Sequence, residues 1–342
     1  MTLYLSADDV RALATHELTL AAARAAVEAE RAGRAIVPPR HDVDLERGFL
    51  RVMPAAYHDL MGLKVMTLVR GLGTRYLILV YSQATGELLA LLDADEVTRL
   101  RTAATTAVAG QLLAPAGTST LALVGSGFEA EGHLRAFANL WPLEQVLVFS
   151  RSRERREEFC ARMSDELGIS VRAVETVAEA TSAAPVAVLA TKATDPVVDG
   201  TDFQPGTVVL SIGSTRPDLR ELDRATMRRS ALLLVDDATQ VKLESGDVID
   251  GLGCGALAEH HLIGMADAVA GLTHDGGLDG RDLLSFKSVG TALQDLALAS
   301  AAVEAARAAG RGRELGELTR LKPFAAPTQD ALSAIAANEG PR

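Results

Sequence analysis

The chain reads as an α/β protein, with a doubly wound, mostly parallel sheet preceded by a unit of different make-up. Three observations predict this. Six short apolar runs, at 121–124, 146–149, 171–174, 186–190, 208–212 and 232–235, alternate with helical stretches such as 153–167 and 177–184. That is the rhythm of crossovers between parallel strands. The first run ends in Gly125-Ser126-Gly127-Phe128-Glu129-Ala130, a G-x-G-x-x-A turn between a strand and a helix. Ahead of Gly117 the order changes to helices followed by four strand-like runs in succession.

Taken in order, Ser6-Ala7-Asp8-Asp9 reads as a helix start, and an Ala- and Glu-rich helix covers 17–32. Pro38 and Pro39 break it and set Arg40 in an extended segment. Strands are expected at 49–53, 63–69, 76–82 and 88–92, with Thr85-Gly86 as the turn between the last two. A long helix over 95–113 leads to Pro115 and Gly117, where the first domain is expected to end. In the following sheet Thr191, Gly213 and Asp236 fall at strand carboxyl ends, beyond which such sheets bind ligands. Residues 251–280 carry weak signals, 284–309 reads as one Ala-rich helix packing back on the first domain, and the tail after Arg320 reads as loosely ordered. The expected division is therefore 1–116, 117–282 and 283–342.

The glycine turn has a definite chemistry. Gly125 permits the tight bend, Gly127 lets the backbone approach a pyrophosphate, and Ala130 lets the helix lie close to its strand. The free amides around Phe128 and Glu129 and the helix dipole then favour phosphate, so a Rossmann-type dinucleotide site is expected here. An NAD site usually places Asp or Glu after the second strand to hold the ribose hydroxyls. This chain has Ser150-Arg151-Ser152-Arg153 instead. A guanidinium and hydroxyls suit a 2′-phosphate, so NADPH is expected over NAD. The plainer reading of the same residues is a capping Ser152 followed by solvated charges.

Composition bounds the partners. With 342 residues, 48% hydrophobic and 23% charged, the chain has room for two domains and a sizeable core. A net charge of −11 argues against nucleic acid and anionic membranes, though a local arginine cluster can still receive a small acid. Two cysteines, Cys160 and Cys254, make no disulfide framework and fit a reducing cytoplasm. The start MTLYLSADDVRAL reads as no signal peptide, and no apolar run is long enough for a membrane span. His260-His261 and Cys254 lack metal-ligand spacing, no metal is expected, and no G-x-S-x-G points to a hydrolase.

The stretches RVMPAAY (51–57), GLKVM (62–66), TGELLALLDADEVTRLRTAATTAVA (85–109), the glycine turn, RPDLRELD (216–223) and SFKSVGTALQDLALA (285–299) resemble the ornithine cyclodeaminase/mu-crystallin family, over 5–309. The resemblance implies an α+β N-terminal dimerisation and substrate domain, completed by the C-terminal helix, around an NAD(P)-binding Rossmann domain in a homodimer. It maps the family's catalytic and substrate-side cations onto Arg40, Lys64 and Arg101. An arginine grips a carboxylate through two bonds, and a buried lysine can give up a proton. Read singly, each could be an ordinary surface charge. Met53 is expected to line the pocket, Thr102 and Arg101 to reach the cofactor phosphates, and Ser288 to join Thr191 and Gly213 on the cofactor side.

Three departures from the family pattern matter. Thr215 stands where cyclodeaminases carry an aspartate; its hydroxyl is expected to hydrogen-bond the substrate, but a threonine is no carboxylate base. The stretch after Lys64 reads LVRGLGT in place of a Pro-x-Asn. Glu129 replaces the usual Gln, and a carboxylate beside a pyrophosphate is unfavourable unless it points away or caps the helix. The expected function is an NADPH-dependent reductase of a C=N bond next to a carboxylate, as in Δ1-pyrroline-2-carboxylate or Δ1-piperideine-2-carboxylate. Two rivals are an ammonia-releasing cyclodeaminase with recycled NAD, and a non-catalytic NADPH-dependent binding protein.

Overall fold

A computed structural model describes residues 1–271 and 280–322. The tail expected to be loosely ordered, beyond residue 322, and part of the weak 251–280 stretch lie outside the described residues. Among the described residues, two sheets of eight strands each organise the fold. In the first, Leu3–Leu5, Leu88–Asp93, Gly73–Ser82, Leu60–Val69 and Gly48–Tyr57 lie side by side, with Arg313–Glu314 at one edge and Ala35–Ile36 and His41–Leu45 against the other. Over their central residues the three long hairpin strands alternate buried with half-buried positions, the period-two pattern of a sheet covered more deeply on one face. Cross-strand register puts Met53, Lys64, Ile78 and Leu92 in one row on the covered face. A lone ammonium in an apolar row needs a partner from whatever packs above it.

The helix above it is Ala292–Ala309. It packs on the sheet so closely that a Cβ on Gly62 would stand 2.9 Å from Leu296 Cδ1. The other cover is the expected long helix, Asp95–Leu113, which also packs against the glycine-turn helix Phe128–Leu140. Gly110 of the former meets Phe137 and Trp141 of the latter unit, which stack at 4.6 Å. One helix thus carries the contents of the first sheet to the edge of the second.

The second sheet is parallel throughout, in the order Ser170–Ala173, Gln145–Phe149, Thr120–Val124, Val186–Leu189, Val208–Ser211, Leu283–Lys287, Ser230–Val235 and Leu262–Gly264. The six expected strands are present. The other two correct the sequence reading: residues 284–287 are strand, not helix, and the C-terminal helix begins only at Ala292. Ser285 explains why. Its hydroxyl bonds that of Ser230 at 2.7 Å, and the strand is paired on both sides. Gly290, at φ +77, then bends the chain into a helix capped by Thr291 and Gln294. A strand from beyond residue 282 therefore completes the dinucleotide-type sheet.

Candidate active site

The bend at Gly290 gathers the charges. Asp236, at the end of Ser230–Val235, accepts from Gly290 N at 2.6 Å, Val289 N at 3.1 Å and Ser288 Oγ at 2.7 Å. The Gly290 carbonyl accepts from Arg40 Nη2 at 2.6 Å. The Gly290 Cα faces Arg101: a Cβ there would lie 2.4 Å from Nη1. Only a glycine satisfies both the positive φ and this approach.

Lys64 and Arg101 converge from different elements on one carboxylate. Lys64 Nζ lies 2.6 Å from Asp295 Oδ2, and Arg101 Nε donates to Asp295 Oδ1 at 2.9 Å. Arg101 Nη1 also donates to Gln294 Oε1 at 2.8 Å. Lys64 is 3% exposed and Asp295 1%. Burial pushes the Lys64 ammonium down to about 7, against the upward pull of Asp295 and with further lowering from Arg101 and Arg40. Arg40 pairs separately with Glu244 Oε2 at 2.6 Å, and burial drives that carboxyl up to about 7. The three predicted cations are thus brought to one junction, but each is already matched by an internal acid. What remains for a ligand is the unspent N–H capacity of Lys64 and Arg101.

Met53 sits beside Lys64 in register and is buried with Ile78 and Leu296. Thr215 lies instead on the wall of a cleft of ≈ 600 Å³, shared with Arg40, Arg51, Arg216 and Glu244. Lys64 and Arg101 are not among the residues lining that cleft.

On the dinucleotide side, Gly125 has φ +129 and its N–H bonds Phe149 O at 2.8 Å, while a Cβ would stand 2.5 Å from Ala190 O. Nothing lies within 4 Å of a Cβ built on Gly127, the helix N-cap, and among the described residues no side chain caps that helix. The cradle is open and its first amides are left for an anion, so the residues present fit a pyrophosphate. Phe128 is exposed with Arg99 over its ring, and Ala130 is fully buried against the strand. Glu129 neither turns to solvent nor caps the helix. Its Oε2 is buried without a hydrogen bond, and burial raises the carboxyl while Arg101, Lys192, Lys64 and Arg99 hold it down.

Ser126 Oγ donates to Ser150 Oγ at 2.9 Å, tying the glycine turn to the second strand end. Arg156, buried over Phe149, fixes the same loop by donating to Ser150 O at 2.8 Å. Arg151 is exposed beside it. Ser152 caps the next helix by accepting from Arg155 N, its plainer reading. Thr102 spends its hydroxyl on Thr98 O at 2.6 Å, and Ser288 spends its own on Asp236. Thr191 and Gly213 are held from behind: Glu221 accepts from Thr191 N, Thr191 Oγ1 and Gly213 N at 2.6, 2.8 and 2.7 Å.

Asp295, Gln294, Glu244, Glu221 and Lys287 were not singled out from the sequence. A readable signal existed for Asp295. Every residue of 292–300 is buried, and an acid on a helix buried all round must be paired.

Fold and site together define a dinucleotide-binding α/β protein whose buried cations sit beside the phosphate cradle. Within that class, the chain belongs to the ornithine cyclodeaminase/mu-crystallin family, whose model matches residues 1–310. Ketimine reductase mu-crystallin of Mus musculus is 34% identical over 274 residues, 78% of this chain and 82% of that protein. The solved Δ1-pyrroline-2-carboxylate reductase of Thermococcus litoralis, in complex with NADH and L-proline, is 33% identical, with a TM-score of 0.84 over 92% of this chain and 100% of that one. An archaeal alanine dehydrogenase dimer with bound NAD is 28% identical, with a TM-score of 0.85 over 92% of this chain and 99% of the other.

Proposed function

We propose that this protein reduces a C=N bond next to a carboxylate, taking cyclic imino acids of the pyrroline- or piperideine-2-carboxylate class. The observation that carries the reading is the buried pair of Lys64 and Arg101 on one carboxylate, next to an open phosphate cradle. The relatives named for such reductions are similar over 78% and 92% of the chain. A reduced nicotinamide, when bound, supplies the hydride. The residues of this chain do the rest. Arg101 and Lys64 orient the substrate carboxylate through their unspent donors, which aims the imine carbon. Lys64 Nζ holds the proton that the imine nitrogen takes up. Exclusion of water follows from the burial of both side chains. Thr215, lacking a carboxylate, gives no base for releasing ammonia, so deaminating cyclisation is disfavoured. In the assay, purified protein with NADPH and Δ1-piperideine-2-carboxylate consumes the reduced cofactor. No turnover across a panel of cyclic imines and of 2-oxo acids with amines would sink the reading.

NADPH is the preferred form, supported by Arg151 and by the absence of an acid at residues 150–153. Arg151→Ala should raise KM for NADPH about tenfold while leaving KM for NADH alone, because a charge-assisted bond contributes about 1.5–3 kcal/mol. Equal effects on the two cofactors, in steady-state titrations, would remove the 2′-phosphate role. A homodimer through the first sheet is supported by Val43, Leu45, Val69 and Leu72, the last 85% exposed, on the strands and turns of that sheet. The domain division at about residue 117, with the C-terminal helix returning to the first unit, belongs to the same reading. Both cysteines are free thiols, in keeping with a reducing cytoplasm, and no helix of the described residues is long and apolar enough to cross a membrane.

A further inference from the structure

We propose that Asp295 is a positioning residue for the reaction: its one carboxylate bridges Lys64 and Arg101, sets the gap that receives the substrate carboxylate, and holds the Lys64 ammonium as the proton donor. This rests on the reductase reading above. The bridge is asymmetric. Oδ1 meets the rigid guanidinium at Nε, 2.9 Å away, and Oδ2 meets the lysine at 2.6 Å. Gln294, one residue earlier on the same helix, takes Arg101 Nη1 at 2.8 Å and so fixes the plane of the guanidinium. Its amide nitrogen reaches Asp236 Oδ2 at 3.4 Å, which links the bridge to the Gly290 bend. The Lys64 stem runs between Met53 and Ile78, and among the described residues its ammonium has no second carboxylate in contact.

The groups facing Lys64 come from every side. Asp295 approaches from the C-terminal helix, Arg101 from the junction helix, and Arg40 from the extended segment. Glu129 lies on the glycine-turn helix, and the Tyr76 ring centroid is 5.9 Å from Nζ. Two of these groups are cations that favour the neutral amine, as burial does. Asp295 is the group in direct contact that favours the ammonium. A proton donor at this position therefore depends on it. An arriving substrate carboxylate adds a second negative charge, so the lysine is more fully charged in the complex than before it.

The sign of the test follows. Imine reduction needs the ammonium, so activity is lost as pH rises through the Lys64 titration. Removing the negative charge of Asp295 moves that titration to lower pH. Asp295→Asn keeps the shape and should lower kcat/KM at neutral pH about 30- to 100-fold, with the alkaline limb displaced downward by about one unit or more. Asp295→Glu should restore the position of the limb while recovering only part of kcat. Affinity for NADPH should change little in either variant. A turnover-independent arm follows Lys64 itself, by NMR titration of protein carrying 13C-lysine, with Lys64→Met used for assignment. If the Lys64 midpoint and the alkaline limb are the same in Asp295→Asn as in the parent, the proposal is overturned. If the parent turns over no imine yet the Lys64 midpoint still falls in Asp295→Asn, the bridge stands and the reductase reading fails. If Asp295→Asn and Asp295→Glu both lose NADPH affinity, the residue holds the fold alone and the proposal is overturned.

Discussion

Arg101→Lys lowers kcat/KM for a carboxylate-bearing imine by about 10²- to 10³-fold, although the formal charge is kept. The reason is geometric. The guanidinium uses Nε on Asp295 and Nη1 on Gln294, and lies flat against Gly290, where no Cβ intrudes. A lysine is a single point charge on a flexible stem and cannot serve both partners while presenting an edge to the substrate. Truncating one partner of a buried, hydrogen-bonded charge pair costs about 2–5 kcal/mol, and each 1.4 kcal/mol is about tenfold in rate. Much of that cost is the Gln294 and Asp295 oxygens left short of donors, so the loss should fall on kcat as well as on KM. Steady-state kinetics beside a direct NADPH titration decide the point. A variant within about threefold of the parent would remove Arg101 from the substrate side. A loss confined to NADPH affinity would put it on the phosphates instead.

Much of this architecture could be read from local chemistry. Ser6 forms its capping box with Asp9, the helix Asp95–Leu113 has the bounds its pattern predicts, and the glycine turn opens Phe128–Leu140. Each of these signals is carried by residues a few positions apart. The strand Leu283–Lys287 was hidden because its five residues run into an Ala-rich helix with only Gly290 as a break. What makes it a strand is pairing with Val208–Ser211 and Ser230–Val235, and such pairing has no local trace. His41–Leu45 escaped for another reason: its alternation of Asp42 and Asp44 with Val43 and Leu45 is only a few residues long, and the strand is exposed throughout, so it joins no core. The site divides in the same way. Arg40, Lys64 and Arg101 came from the family resemblance, since nothing in their neighbourhoods sets them apart from surface charges. Of their acids, Asp295 stands out in the mostly apolar helical stretch 292–300, whereas Glu244 follows only from the fold, because the burial of one charge is what demands the other.

The same demand governs the largest expected loss of stability. Lys287 is fully buried at the end of the hidden strand, with Nζ 2.8 Å from Ser211 Oγ, 3.2 Å from Asp247 Oδ2 and 3.7 Å from Glu221 Oε2. Asp247 Oδ1 in turn accepts from Glu221 N and Leu222 N at 2.8 and 3.0 Å. Lys287→Met leaves two buried carboxylates facing each other with no cation between them. Breaking such a cluster from one side costs about 3–5 kcal/mol, a fall in Tm of roughly 4–7 °C for a chain of this size. Burial already pushes the Glu221 carboxyl up, and loss of the Lys287 charge pushes it further. The added Asp247→Asn change should recover a good part of the lost Tm, because it removes one of the stranded charges while Oδ1 still accepts from Glu221 N and Leu222 N. Calorimetry on the parent, Lys287→Met and the double variant reads this directly. If Lys287→Met melts within about 2 °C of the parent, the cluster is not under the strain that burial implies. NADPH should report it too, since Glu221 holds Thr191 and Gly213 at the strand ends, and a cradle wall that loosens binds the dinucleotide more weakly.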